Sequence, residues 1–179
     1  MPKVRAKRNA SADKLMGKEV LLYINYGDSA TEKKPTWTLI GGQTTADLDM
    51  SADSIDASNK SSGGWGESYA GIKTTELSLE GIQCKSDEGL SALKDAFIKS
   101  ESVDILRYAA DGTADRNWYN LTEFSDSTPH DDTVTFTVTM GGIGAPTFYE
   151  GASKVEDITG AMKPGETVTV TPTATTAGA

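Results

Sequence analysis

The amino-acid sequence predicts a mainly β domain with a single packed α-helix. Most of its apolar runs alternate with polar residues at a period of two, which is typical of half-buried β-strands. Only one segment, at about residues 87–99, repeats apolar residues at helical spacing. The chain has 179 residues, enough for one domain with its own core.

The strand pattern is clearest in residues 20–26 and 133–140. In the first run Val20, Leu22, Ile24 and Tyr26 share a face, and in the second Val134, Phe136, Val138 and Met140 lie opposite a row of threonines. This pattern is typical of half-buried antiparallel strands with β-branched residues on the wet side. Further strands are predicted at residues 36–40, 74–82, 103–108, 117–124, 146–149 and 167–171.

The predicted helix begins after Ser86, which we expect to cap its first turn. Asp87 and Glu88 follow in that turn, where the helix dipole favours negative charge. The apolar stripe packs against a sheet in this interpretation, and consists of Leu90, Leu93, Phe97 and Ile98.

A long polar segment separates two of the predicted strands, and we expect it to form a loop over residues 43–71. Loops of this length inside a compact domain are usually functional or disordered. Plain disorder is disfavoured by the large apolar residues of this segment, which are Leu48, Met50, Ile55 and Trp65. We expect a surface outside the subunit's own core to receive them.

Charge is distributed unevenly along the chain. Residues 1–20 hold six basic and two acidic groups and have a net charge of +4. Because the net charge of the whole chain is −9, residues 21–179 have a net charge of −13. Residues 1–16 are predicted to form a basic arm, which is either a solvated tail or a segment that pairs with the acidic surface of a neighbouring copy. At the other end, residues 151–179 form a C-terminal extension whose Thr/Ala-rich tail is expected to be partly disordered.

No catalytic, cofactor or metal site is predicted. The single histidine, His130, lies in a polar turn, and the single cysteine, Cys84, excludes an intramolecular disulfide. Residues 47–58 begin like an EF-hand loop, but Ala52 stands where that loop requires glycine and Ser58 where it requires glutamate. Phosphate-binding glycine motifs and a GxSxG elbow are missing from the sequence, so an enzyme is not expected.

The sequence also lacks the patterns of membrane insertion. It contains no run of about 18 apolar residues, and the apolar stretch Val20–Ile24 is too short for a signal peptide. We therefore expect no membrane partner, and synthesis in the cytoplasm.

The order of these features resembles the major tail (tail tube) proteins of long-tailed, non-contractile bacteriophages. The resemblance spans roughly residues 15–150, and its most specific part is the SADSID-to-SGGW stretch. It rests on the basic arm, GKEVLLYIN at 17–25, WTLIGGQ at 37–43, DLDMSADSIDASNK at 47–60, SGGWGE at 62–67, the strand–helix unit up to about residue 108, and GGIGAP after the late strand.

The resemblance implies an antiparallel β-sandwich or half-barrel with one flanking helix. It further implies that copies form a hexameric ring, that their inner strands close into a continuous β-barrel, and that rings stack into a virion tail tube. Genomic DNA would pass through without specific binding, since an acidic lumen keeps a polyanion from sticking. Other implied partners are the tape-measure, tail-terminator and distal-tail or baseplate proteins, met after synthesis in the host bacterial cytoplasm.

The resemblance also implies roles for individual residues. The long loop would reach the adjacent ring, with Gly63 and Gly64 forming the turn that presents Trp65. The expected self-assembly residues are Leu48, Met50, Ile55, Lys60, Gly63, Gly64 and Trp65, and the expected arm contacts are Lys3, Arg5, Lys7 and Arg8.

An alternative interpretation is a carbohydrate-binding or adhesive β-sandwich module. In that case Trp37, Trp65 and Trp118 would serve as sugar-stacking platforms.

Overall fold

The computed structural model describes residues 15–171, which form eight strands and one α-helix. Two short 3-10 turns, Gly17–Glu19 and Val155–Asp157, accompany them. The elements in chain order are β1 (Val20–Asn25), β2 (Trp37–Leu39), β3 (Gln43–Asp56), β4 (Ser68–Ile82), α1 (Glu88–Lys99), β5 (Val103–Ala109), β6 (Ala114–Ser127), β7 (Thr135–Glu150) and β8 (Thr167–Thr169). The predicted mainly β architecture with one helix is confirmed.

All eight strands belong to one sheet, in the order β2-β1-β5-β6-β7-β4-β3, with β8 added beside β7. The pairs along this order are antiparallel, whereas β8 runs parallel to β7. Several predicted strands are longer in the structure. The runs at 133–140 and 146–149 are one strand, because Gly142 lets the backbone of β7 pass where a Cβ atom would lie 1.8 Å from the Thr75 hydroxyl oxygen.

A side chain brings the two ends of this curled sheet together. The Gln43 amide group donates hydrogen bonds to the carbonyl oxygens of Leu22 (2.8 Å) and Ile40 (2.6 Å). Its oxygen accepts one from the Leu22 N–H at 2.9 Å. The Gln43 side chain thus makes the hydrogen bonds that a neighbouring strand would make with β1. The sheet is therefore a half-barrel in which β1 and β3 are joined by this side chain and not by main-chain pairing.

Helix α1 fills one end of the half-barrel. The residue that caps its N-terminus is Asp87 rather than Ser86. The Asp87 carboxylate accepts hydrogen bonds from the N–H groups of Leu90 (3.1 Å) and Gly41 (2.8 Å). Ser86 has a φ of 59° and lies one residue too early to cap. The predicted cap is therefore wrong by one residue, because Asp87 also ties the helix to the β2–β3 connection.

The apolar stripe of α1 is narrower than predicted. Leu90 and Leu93 are buried in the main core together with two alanines of the helix, but Phe97 is 39% and Ile98 72% exposed. A Cβ atom on Gly89 would lie 2.7 Å from the Leu39 carbonyl oxygen, so the helix approaches the backbone closely here. Because the helix lies so close to the backbone, its contact side carries small residues such as Ala92 and Ala96. Ile98 lies away from that side and faces solvent.

A second core covers the opposite face of the sheet. Leu106 and Tyr149 pack there against Ala152, Val155 and Ile158, which follow β7. The described part of the predicted C-terminal extension is thus an ordered layer of the subunit. Residues 172–179 lie outside the described residues.

Candidate assembly surface

The segment predicted as a loop over residues 43–71 is instead a long hairpin of β3 and β4. The two strands pair from Gln43 opposite Gly81 to Asp56 opposite Ser68, and only residues 57–67 connect them. The sequence hides the hairpin because it is rich in Asp, Ser and Ala, which are poor strand formers. Residues 49–56 are exposed on both faces, so no inside–outside alternation marks them either.

We call residues 50–73 the distal hairpin, and its surface is unusually apolar. Ile55 lies opposite Tyr69, and its side chain also covers Gly71. Ile55 and Tyr69 therefore form an exposed apolar pair beyond the subunit's core, and apolar surface left exposed in this way is a candidate interaction site. The exposed apolar residues and their exposed fractions are Met50 53%, Ile55 55%, Trp65 82%, Tyr69 69% and Ile72 74%.

The predicted assembly residues fall into two groups. Met50, Ile55, Lys60 and Trp65 are exposed on the distal hairpin, whereas Leu48 is half-buried and packs against the main core. Leu48 thus contributes to the subunit's own core. Two further exposed apolar residues of the hairpin are not among the predicted ones: Tyr69, which lies inside the predicted loop, and Ile72, which lies just after it.

The turn that presents Trp65 contains two glycines with left-handed backbone. Gly63 has a φ of 62° and Gly64 a φ of 85°, and a Cβ atom at either position would meet no neighbouring atom. Backbone conformation, rather than space, therefore accounts for glycine here. The Trp65 N–H donates to the Ser62 carbonyl oxygen at 3.1 Å and closes the turn.

A second surface is acidic and lies on the side of the sheet that faces away from α1. Asp49 is directly opposite Glu76 across β3 and β4, and like charges in such pairs destabilise a sheet. We call this surface the acidic face, and its carboxylates are Asp47, Asp49, Glu76, Glu80 and Glu123. None of these five carboxylates takes part in an ion pair among residues 15–171.

The open end of the half-barrel is a groove of about 300 Å³ that contains an ion pair. The Arg107 guanidinium lies 3.3 Å from the Asp115 carboxylate. Burial raises the pKa of Asp115, and the neighbouring Arg107 opposes that shift. The apolar walls include Val20, Met50 and Phe148, and the groove presents no nucleophile paired with a base.

The remaining sequence candidates are not brought together. His130 is almost fully exposed, with only Asp131 nearby at 3.5 Å. No group of three potential metal-binding side chains occurs in residues 15–171. In the same range, no helix has the length and apolar character needed to cross a membrane. The arm residues Lys3, Arg5, Lys7 and Arg8 lie outside the described residues.

The three tryptophans do not share one platform. The Arg116 guanidinium carbon lies 5.0 Å from the centroid of the Trp37 ring. The indole N–H of Trp37 donates a hydrogen bond to the Ile158 carbonyl oxygen. Trp118 is half-buried beside the loop after β1, and Trp65 is at the tip of the distal hairpin. This arrangement does not favour a common sugar-binding surface.

Three solved structures with a similar fold come from a tail, a tail tube and a sheath–tube complex. The chain is similar to a protein in the tail of an empty gene transfer agent particle with C6 symmetry (21% identity, TM-score 0.66, 75% of this chain and 98% of that chain). It is also similar to the SPP1 tail tube protein (14% identity, TM-score 0.65, 78% and 81%). A third match is a chain of the sheath–tube complex of an extracellular contractile injection system (12% identity, TM-score 0.54, 83% and 100%).

Sequence comparison gives the family. No curated protein matches the chain. A family model described as phage tail tube protein matches residues 14–148, which is most of the chain and includes the distal hairpin and the acidic face. The chain therefore belongs to the phage tail tube protein family.

Proposed function

We propose that copies of this chain form hexameric rings, that the rings stack into the tail tube of a phage virion, and that the tube conducts the genome into the host. The observation that carries this proposal is the distal hairpin, an apolar projection that a single subunit leaves uncovered. The C6 symmetry of the gene transfer agent tail supports the ring number. In this proposal the chain is structural rather than catalytic.

The distal hairpin contacts the adjacent ring. Trp65, Ile55 and Met50 are its apolar anchors, since buried aromatic and aliphatic side chains dominate interface energy. Tyr69 lies opposite Ile55 across the hairpin and Ile72 is a further exposed apolar residue, while Lys60, Gly63 and Gly64 shape and flank the turn. Contacts of this kind are heterologous, so they repeat from copy to copy and build a filament.

The acidic face lines the channel. Its five carboxylates have no ion-pair partner among residues 15–171. The basic residues of the same strands lie elsewhere, since Lys73 pairs with Ala52 beyond the acidic pairs and Arg116 is buried. A DNA duplex is itself densely negative, so a wall of like charge lets it pass without binding.

Other partners follow from the tube role. The basic arm docks on a neighbouring subunit or another tail protein and orders on assembly. The tape-measure, terminator and distal-tail or baseplate proteins meet the tube along its inside and at its ends. Synthesis takes place in the bacterial cytoplasm before incorporation into the virion tail.

Assembly of purified protein with a Trp65→Ala substitution tests the proposal. Loss of an interface anchor worth about 2 kcal/mol raises the concentration needed for tube formation more than about tenfold. Negative-stain microscopy and sedimentation measure this concentration, and circular dichroism verifies that the monomer stays folded. Ile98→Ala, which removes an exposed apolar side chain from α1, is the matched control and leaves tube formation unchanged.

One result would contradict the role of Trp65, and another would contradict the tube function itself. Unchanged tube formation by Trp65→Ala would remove the anchor assignment. Wild-type protein that stays monomeric under all assembly conditions and binds glycans would instead support the carbohydrate-binding interpretation.

A further inference from the structure

A small cavity lies at the end of the subunit opposite to the tip of the distal hairpin. It opens between the N-terminus of α1 and the paired segments at the end of β6 and the start of β7, and its volume is about 100 Å³. Small-molecule sites usually measure about 300–1,000 Å³, so this cavity has room for one side chain rather than for a ligand. We call it the α1 pocket, and its walls include Cys84, Leu90, Lys94, Phe124, Asp126 and Phe136.

The α1 pocket combines an apolar floor with a solvent-facing carboxylate. Leu90 and Phe136 are buried and Phe124 is half-buried, so aliphatic and aromatic atoms form the floor. At the rim, the Lys94 ammonium lies 5.7 Å from the centroid of the Phe124 ring. The Asp126 carboxylate is 48% exposed and lies 3.9 Å from the Lys94 ammonium, which is too far for a hydrogen bond. Its oxygens can therefore accept a hydrogen bond from a group that enters the pocket.

Tryptophan is the side chain that matches both features of the pocket. Its ring offers a large apolar surface, and its N–H needs an acceptor once it is removed from water. A nearby ammonium group such as that of Lys94 adds a favourable contact with the face of an indole ring. Among residues 15–171, Trp65 is the most exposed of the large hydrophobic side chains, at 82%.

A subunit cannot fill its own α1 pocket with Trp65. Strand β4 begins at Ser68, close to the tip of the distal hairpin, and ends at Ile82, next to the pocket. Its 15 residues span roughly 50 Å at about 3.3 Å per residue. The tryptophan that enters the pocket must therefore come from another copy.

Stacking of rings in one orientation supplies that copy. It places the tip of the distal hairpin of one copy against the opposite end of a copy in the next ring. The larger groove that contains Arg107 and Asp115 is less suited to receive the tip. Met50 forms part of its wall, so this groove lies at the base of the distal hairpin rather than at the opposite end of the subunit.

We infer that Trp65 of one copy occupies the α1 pocket of a copy in the next ring. The inference rests on the proposed stacking of rings and names the surface that receives the hairpin. The indole ring packs on Phe124, and the indole N–H donates a hydrogen bond to the Asp126 carboxylate. Each copy thus uses its hairpin tip on one side and its α1 pocket on the other, as a heterologous contact requires.

Cross-linking through the native cysteine tests this contact. Cys84 is exposed at the rim of the α1 pocket, and Gly66→Cys places a second thiol beside Trp65 without removing the indole. A Cβ atom on Gly66 would meet only the Ser58 hydroxyl oxygen, at an ordinary contact distance of 3.9 Å. Assembled protein is treated with a short bismaleimide and separated by denaturing electrophoresis. The control variant carries Gly66→Cys together with Cys84→Ser.

We expect a ladder of covalent dimers, trimers and longer multimers from Gly66→Cys tubes, because each copy is joined at both ends. The variant that also carries Cys84→Ser gives no ladder. Tubes of Gly66→Cys without a ladder would overturn the pocket assignment and leave the tube function intact. Failure of the wild-type protein to form tubes would contradict the proposed function and this inference together.

A double-mutant cycle tests the hydrogen bond itself. Trp65→Phe keeps an aromatic ring but removes the N–H, and Asp126→Ala removes the acceptor. Each variant alone raises the concentration needed for tube formation about tenfold, since hydrogen bonds to charged groups are among the stronger ones. The double variant shows little further increase, because both changes remove the same contact. An increase of about a hundredfold in the double variant would show that the two residues act independently, and would overturn the inference.

Discussion

The C-terminal layer, residues 151–170, is attached to the subunit's sheet, whereas the distal hairpin, of similar length, projects from it. Residues 151–170 are held on the sheet by a fully buried Arg116, whose guanidinium bonds to Asp104 and to the carbonyl oxygens of Glu32 and Gly160. The distal hairpin has no such attachment, and its largest side chains face solvent. The first region stabilises the subunit, and the second is available for contacts between subunits.

This difference separates two kinds of mutational effect. Substitutions in the C-terminal layer or at the sheet closure lower the free energy of unfolding of the monomer. Substitutions in the distal hairpin leave that free energy nearly unchanged, because surface positions without special contacts contribute within about 0.5 kcal/mol.

The largest effect is expected from Arg116→Ala. Removing the guanidinium leaves Asp104, only 2% exposed, as a buried charge without its partner. Breaking one side of such a pair costs about 3–5 kcal/mol. Urea unfolding followed by tryptophan fluorescence measures the loss, and Ile72→Ala on the distal hairpin is the control that stays near wild type. A loss below about 1 kcal/mol for Arg116→Ala would show that the C-terminal layer is held by apolar packing alone.

Gln43→Ala comes next, because it reopens the junction between β1 and β3. The substitution removes the acceptor of the Leu22 N–H and the donor to the Ile40 carbonyl oxygen, whereas the Leu22 carbonyl oxygen keeps its hydrogen bond from the Ile40 N–H at 3.2 Å. Leaving such groups unsatisfied costs roughly 2–3 kcal/mol in total. Gln83→Ala is the matched control, since Gln83 is exposed on the segment before α1. Equal unfolding free energies for the two variants would show that water replaces the Gln43 contacts at no cost.

The contrast also explains what the sequence could predict. Strands such as 133–140 and the start of α1 pack one face on a core, and their periodicity was readable because burial imposes it. The distal hairpin is exposed on both faces, so burial imposes no alternation of apolar and polar residues there. The sequence therefore predicts a loop where the structure has two strands. Arg116 and Gln43 escaped notice because their partners lie far away in sequence, at Asp104, Gly160 and Leu22.

The helix cap gives a smaller and sharper test. Asp87→Ala removes the acceptor for the Leu90 N–H and the tie to Gly41, and is expected to cost about 1–2 kcal/mol. Ser86→Ala, one residue earlier, leaves both contacts in place and has almost no effect. Thermal unfolding of the two variants separates the positions. A larger loss for Ser86→Ala would restore the cap that the sequence alone suggested.

The smallest effect is a pH dependence at the open end of the half-barrel. Because burial raises the pKa of Asp115, the folded state holds this proton more tightly than the unfolded chain, in which the pKa is about 3.9. Between that value and the raised pKa, the contribution of Asp115 to stability falls as pH increases. The difference in unfolding free energy between wild type and Asp115→Asn therefore decreases across this window.

Asp111 provides a control of opposite sign in the same set of measurements. Hydrogen bonds from Thr113 lower the pKa of Asp111, so its contribution is present above the unfolded pKa and is lost as pH falls through the folded value. The difference between wild type and Asp111→Asn therefore increases with pH. If both differences had the same slope, burial of Asp115 in the groove would not control its titration, and Arg107 would be the dominant influence there.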